Sequence, residues 1–454
     1  MLVLFLPFLA ISFVVRNVLV SCLDSDELMV EQIHIALGKT PDYMTLQWAT
    51  SSCAKLPSVV YYGSSFPLSQ ISIGRKYEFD VGNDQRKQCN HVAELSSLLP
   101  STKYYYRIGD SSTAFWFISA ADSTTLTSNL PQKFLIFGDL GTKEPENTAT
   151  VMPWTSREVQ NGGVDIILQV GDFAYDLESE GGEVGRLFMN EIQNMSAFVP
   201  YMVLPGNHES GYNFAHYTEF FRNQPSIEGS TVKTDNGIAP NNWYFSWNVG
   251  LVHFVVLSTE IYFYYPELIE AQWKWLENDL KVASGNRTSA PWIIVSGHRN
   301  IYCSCGSDCD DDATKIRAGV LQSDGITYQF GLEQLLYKYK VDIWINGHLH
   351  AYERMFDVEP NETYDHNAGV TTRTTINPPG TIYIVTGNAG NEENHGEFAY
   401  AQPAYRSSNY GYNRMSVYNS THLHWEQVQC DLSVDPQADG IVADEFWLIQ
   451  TSHM

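Results

Sequence analysis

The sequence predicts an α/β fold in two parts. An N-terminal β-sandwich is followed by a larger layered domain, two β-sheets flanked by helices. Three observations carry this. Apolar and polar residues alternate with period two within residues 28–120. Beyond Pro131, short apolar runs alternate with stretches of helical periodicity. Five loops of that second part pair a glycine with an Asp, Asn or His, each directly behind an apolar run.

Residues 1–22, opening MLVLFLPFLAISFVVRNVLVS, are almost continuously apolar and read as a secretory signal peptide. Arg16 interrupts the run, and what remains is short for a spanning helix. Stable membrane insertion is therefore not expected. In residues 28–120, Ile33, Ile35 and Leu37 alternate, as do Met44, Leu46 and Trp48, and later Tyr104, Tyr106 and Ile108. This is the pattern of half-buried antiparallel strands. Turn signals such as Gly38–Asp42 and Leu99–Ser101 separate them, and a small sandwich fits. The Ser/Thr-rich stretch Ala121–Pro131 reads as a linker.

Residues 131–430 form the second domain. Its expected strands are Phe134–Phe137, Ile166–Val170, Tyr201–Leu204, Val252–Leu257, Ile293–Val295 and Ile343–Ile345. A helix over Leu268–Ala283 places Ile269, Trp273, Leu276 and Leu280 on one face. It also sets Glu270 before Lys274 and Glu277 before Lys281 at favourable i,i+4 spacing. A second helix carries Leu332, Leu335, Leu336 and Tyr339. Thr381–Val385 and Leu423–Val428 add β character. Cys430 and the tail, residues 431–454, show little pattern and are expected to pack loosely.

The formal net charge is −25, from 52 acidic and 27 basic residues. With no basic block, nucleic acid is excluded as a partner, since its binding draws on Lys/Arg–phosphate contacts. The same charge repels phosphorylated molecules at long range, so any anion site must be made positive locally, as bound metals would do. The cysteines are Cys22, Cys53, Cys89, Cys303, Cys305, Cys309 and Cys430. If Cys22 leaves with the signal, the other six allow three disulfides in an oxidising compartment. Four sequons, at Asn194, Asn286, Asn361 and Asn419, fit a secreted or lysosomal glycoprotein.

The five loops are Gly138-Asp139-Leu140-Gly141, Gly171-Asp172-Phe173-Ala174-Tyr175, Gly206-Asn207-His208-Glu209, Val295-Ser296-Gly297-His298 and Gly347-His348-Leu349-His350. In open α/β sheets, ligands bind beyond the carboxyl ends of strands, so these loops are expected to converge. Each residue alone has a bland role: Asp139 a helix cap, Asn207 a turn, His298 a satisfied core histidine. Together they supply carboxylate, amide, imidazole and phenol without a thiolate. That set suits Fe, Mn and Zn, with enough donors for two ions sharing one carboxylate.

In order and spacing, GDxG, GDxxY, GNHE, VxxH and GHxH resemble the purple acid phosphatases, within the calcineurin-like metallophosphoesterases. Leu140-Gly141 and Tyr175 stand where general members carry DxH and GDxxD. The resemblance extends to a fibronectin-III-like N-terminal domain through Gln32–Gly38 and Tyr104–Gly109, and to the C-terminal region through Asn409–Arg414. It implies that Asp139, Tyr175 and His350 bind Fe(III). Asn207, His298 and His348 would bind a divalent ion (Fe, Zn or Mn), and Asp172 would bridge. It implies that His208 contacts phosphate as the catalytic residue. Arg299–Ser304 lacks the adjacent histidine pair of the plant enzymes, and in this resembles the animal long form. The implied activity is an acid phosphatase that hydrolyses small-molecule or peptide phosphate monoesters with metal-activated hydroxide. A phosphodiesterase or nucleotide pyrophosphatase on the same fold is the alternative. An extracellular binding protein with a degenerate site would lack ligands, and all seven are present.

Overall fold

The computed structural model describes residues 29–54, 56–82, 86–123, 131–142, 151–304, 311–358, 373–391, 404–430 and 440–452. The expected signal peptide and Asn361 lie outside them.

The alternating N-terminal runs form two four-stranded antiparallel sheets. One is ordered Glu31–Leu37, Met44–Thr50, Arg86–Leu95, Arg75–Gly82, and the other Gln70–Ile73, Val59–Gly63, Lys103–Ile108, Phe115–Ile118. Between Ile73 and Arg75 the chain crosses from one sheet to the other at Gly74, where a Cβ would lie 2.4 Å from Val92 O. The Cys53–Cys89 disulfide closes a 36-residue separation. In Lys103–Ile108 only alternate residues are buried, as the pattern predicts. Glu31–Leu37 and Met44–Thr50 differ: both of their faces are buried. The larger domain covers the outer face, where Gln47 Nε2 donates to Glu219 O at 2.8 Å and Ser196 Oγ to Ile33 O at 3.2 Å. Polar residues on that face meet partners rather than water, so alternation did not reveal its burial.

The six predicted strands of the larger domain all form, within a residue or two of the expected ends. They divide between two seven-stranded sheets. In the first, Gln132–Phe137, Ile166–Val170 and Tyr201–Leu204 run parallel. In the second, Val252–Val256, Trp292–Ser296, Ile343–Asn346 and Thr381–Thr386 run parallel. Buried on both faces, these strands read as continuous apolar runs. The sheets pack face to face, with the Phe134 and Phe254 rings 5.0 Å apart. Helices Met152–Gln160 and Ser179–Ser196, and helix Pro266–Gly285, contribute side chains to a second core cluster.

Helix Pro266–Gly285 buries Ile269, Leu276 and Leu280 as its periodicity predicts. Glu270 pairs with Lys274 at 2.6 Å, whereas Glu277 pairs with Lys338 of the neighbouring helix at 2.8 Å. One expectation is overturned. The tail does not pack loosely throughout: Ile441–Ile449 is a nine-residue strand between His422–Gln429 and Thr374–Ile376. Its alternate residues Asp444, Phe446 and Leu448 are buried, and the Asp444 carboxylate holds Arg354 through 2.7 and 2.8 Å bonds. Of the three disulfides that the last six cysteines allow, Cys53–Cys89 is formed. Cys303 is disulfide-bonded, but Cys430 is a free, buried thiol packed in the core. Among the described residues, no helix is long and apolar enough to cross a membrane.

Candidate metal centre

All five glycine-bearing loops leave the carboxyl ends of parallel strands and meet at one place, so every predicted donor is brought together. Two converging triplets result. In one, the Tyr175 hydroxyl lies 3.3 Å from Asp139 Oδ1 and 2.9 Å from His350 Nε2, and His350 Nε2 lies 3.4 Å from Asp139 Oδ1. In the other, His298 Nε2 is 3.1 Å from both Asp172 Oδ2 and Asn207 Oδ1. His348 joins this second group: one donor atom each from Asp172, His298 and His348 lies within 4.8 Å of the others. The triplets are stitched together by backbone. His348 N donates to Asp139 at 3.0 Å, and His208 N to Asp172 Oδ1 at 3.0 Å.

The loops are strained in a way that brings the donors inward. Asp139, Asp172, Tyr175 and His348 have φ of 58°, 47°, 54° and 69°. Such left-handed backbone costs a non-glycine residue about 1–3 kcal/mol and collects at functional sites. Two glycines are required by close approach. A Cβ on Gly206 would lie 2.2 Å from Asp172 Oδ1, and one on Gly347 would lie 2.3 Å from Asp139 Oδ2.

Electrostatics mark the same cluster. Burial raises the Asp139 carboxyl. Burial works in the same direction on Asp172, but the His298 imidazole outweighs it and holds that carboxyl below its usual range. Burial would lower His298, and Asp172 instead drives it up to about 10. The Tyr175 phenol is raised by burial and then by Asp139 and Asp172, an excess of buried negative potential that a cation would reverse.

The donor set fits a pair of ions. Metal–ligand bonds of about 2.0–2.2 Å place neighbouring donors near 3 Å apart, the spacing found within both triplets. His298 Nδ1 donates to Val170 O at 2.9 Å, which leaves Nε2 as the nitrogen facing Asp172 and Asn207.

His208 stands beside the triplets, partly exposed, with Nδ1 2.9 Å from Asp176 Oδ1 and its ring 4.4 Å from that of Tyr175. Burial would lower its pKa, but the Asp176 bond and the charge of Asp172 raise it to about 9. Three features went unread in the sequence. Asp176, one position after Tyr175, anchors His208. Glu209, visible in the GNHE stretch but given no role, is buried and accepts from Asp172 N, Phe173 N and Gly206 N at 2.8–2.9 Å. Burial and the charge of Asp172 push it up to about 8, against the Phe173 and Gly206 donors. Arg299 is buried over the Phe263 ring, holds Glu260 at 2.9 Å and Asp312 at 2.5 Å, and reaches His348 Nε2 at 3.3 Å. Glu260 follows no motif and had no signal in the sequence. Of the sequons, Asn194 and Asn286 are exposed and Asn419 is half-buried.

Comparison with known proteins agrees with this geometry. Residues 30–125 match the purple acid phosphatase N-terminal domain, 132–352 the calcineurin-like phosphoesterases, and 380–445 the iron/zinc purple acid phosphatase-like protein C region. The chain is 37% identical over 441 residues to acid phosphatase type 7 of Danio rerio, covering 93% of this chain and 92% of that protein. It is 36% identical to acid phosphatase type 7 of Homo sapiens, covering 92% and 91%. The fold is similar to purple acid phosphatase PPD1 of yellow lupin, with a TM-score of 0.71 at 22% identity over 93% of this chain and 74% of that one. The chain belongs to the purple acid phosphatases and is a metallophosphoesterase with the acid phosphatase activity of that family.

Proposed function

We propose that this enzyme hydrolyses small-molecule or peptide phosphate monoesters in a secreted or lysosomal setting, at a centre of Fe(III) and a divalent Fe, Zn or Mn. The observation that carries this is the convergence of two donor triplets, one of which includes the buried Asp172 carboxylate. In this reading Asp139, Tyr175 and His350 hold the ferric ion, and Asn207, His298 and His348 the divalent one. Asp172 would be the carboxylate that serves both. Bound there, the ions supply Lewis-acid activation of water and neutralise phosphate charge.

The chain's own residues do the rest. Val170 O fixes the His298 ring, and His348 N and His208 N hold the two carboxylates in place. His208, kept cationic by Asp176 and held through Nδ1, gives its Nε2 proton to the leaving alkoxide. The local positive charge also answers the repulsion of phosphate by a chain of net charge −25. Exposed Asn194 and Asn286, and Asn419 near the surface, are the proposed glycan attachment points.

The test is a substrate panel on secreted protein at pH 5, run beside metal analysis. Monoesters should turn over faster than diesters, with two ions bound per chain. Faster diester cleavage would favour the phosphodiesterase reading, and folded protein without metal would sink the assignment.

A further inference from the structure

The Arg299 guanidinium is fixed from several directions. Its Nε donates to the two Glu260 carboxylate oxygens at 2.9 and 3.1 Å, and its Nη1 to Asp312 Oδ2 at 2.5 Å. Its central carbon lies 4.1 Å from the centre of the Phe263 ring. The backbone is held as well: Thr259 Oγ1 accepts from His298 N at 3.2 Å and from Arg299 N at 2.9 Å. Thr259 and Glu260 are consecutive and fully buried, so one short segment grips both ends of Arg299.

A buried ion pair is a poor source of stability. Both charges must leave water, and apolar residues of the same volume do as well or better. What the arrangement does fix is the place of the remaining nitrogen. Nη2 bonds to neither carboxylate and has no partner among the described residues, yet it stays open to solvent. Nη1, on the same carbon, lies 3.3 Å from His348 Nε2, and the preceding residue is His298. The unpaired end of the fork therefore borders the part of the centre where Asp172, His298 and His348 meet.

We propose that Arg299 is a phosphate-contacting residue, whose Nη2 donates to a non-bridging oxygen of the bound monoester. This rests on the phosphomonoesterase reading above. Charged N–H donors make short, strong bonds to phosphate oxygens. Glu260 and Asp312 already balance the Arg299 charge, so the side chain contributes a directed donor rather than a net positive field. Held before any ligand arrives, it has no rotamer freedom left to lose on binding. Lysine cannot take its place. It keeps the charge, but its one nitrogen sits between Glu260 and Asp312 and leaves no donor at the Nη2 position. The bond is made to bound substrate and transition state alike, so its loss raises KM more than it lowers kcat.

The test is calorimetric titration of the secreted, metal-loaded protein with inorganic phosphate, beside steady-state kinetics on a monoester. Two variants are compared with wild type. Arg299→Lys keeps a cation between the carboxylates, and the double variant Glu260→Gln, Arg299→Gln removes both buried charges together. In each the phosphate Kd should rise roughly 10–100-fold, the worth of one charge-assisted hydrogen bond. KM should rise in step with little change in kcat, and Arg299→Lys should keep wild-type metal content and Tm. Wild-type phosphate affinity in metal-loaded Arg299→Lys overturns the proposal. So does loss of metal from that variant, which would make Arg299 a support for His348 instead. Wild-type protein that cleaves diesters faster than monoesters fails the underlying reading and the proposal with it, and is told apart because no variant is needed to see it.

Discussion

The backbone N–H of Asp172 donates to Glu209 Oε2 across 2.9 Å, and Gly206 N donates to the same oxygen at 2.8 Å. One buried carboxylate therefore bolts the loop that carries Asp172 to the loop that carries Asn207 and His208. Through Phe173 N it takes a third donor.

Glu209→Gln keeps the shape but places an amide N–H₂ where a backbone N–H must be accepted. At least one buried donor is orphaned, at a cost of about 1–3 kcal/mol. Outer-sphere losses of this kind weaken metal binding roughly 10–100-fold. Thermal unfolding should shift down, and chelator competition should strip metal sooner than from wild type. Retention equal to wild type would show that the loops hold their positions without Glu209.

His208→Ala should lower monoester turnover by roughly 10²–10⁴, the usual worth of a general acid. Metal content should not change, because His208 lies outside both triplets. If metal is lost with the side chain, His208 is a ligand and the assignment fails.

The two histidines of Gly347–His350 reach different triplets: His350 joins Tyr175 and Asp139, and His348 joins His298 and Asp172. On the proposed assignment, His348→Ala should deplete the divalent ion, and His350→Ala the ferric ion together with the Tyr175-to-iron colour. Elemental analysis and a visible spectrum read both. Loss of the same metal from both variants would contradict the division.

His34 couples stability to pH away from the metal centre. It is buried at the domain junction, edge-on to Phe221, with Nδ1 2.7 Å from Gln32 O. Burial lowers its pKa to about 4. Its unfolded pKa is near 6.5, so below that value the unfolded chain binds a proton that the folded chain refuses. The His34 contribution is thus fully present above pH 6.5 and is lost as pH falls toward 4. At pH 5 the loss is about 2 kcal/mol. His34→Leu should flatten the difference in denaturant midpoint between pH 7.5 and pH 5; an unchanged difference would rule out His34 as its source.

How much of this was legible differs from element to element. The strands Ile166–Val170 and Tyr201–Leu204 were readable to the residue, because burial on both faces leaves an unbroken apolar run. Helix Ser179–Ser196 was not. Its first turn holds Glu180, Gly181 and Gly182 in left-handed backbone, and its glycines obscure the helical period. The strand Ile441–Ile449 escaped because its buried positions include Asp444, which is held by Arg354 from a distant strand.

By itself the sequence determined which side chains could form the centre and that they would sit behind strands. Local periodicity and glycine placement are short-range properties, and each motif carries its own. Only the tertiary structure decided that Asp176 and Glu209 hold the loops, that Cys430 stays a thiol, and that both faces of Glu31–Leu37 are buried. Those outcomes depend on contacts between residues far apart in the chain. The pairing is set by sheet register and domain docking, which a polar residue records in the same way whether its partner is protein or water.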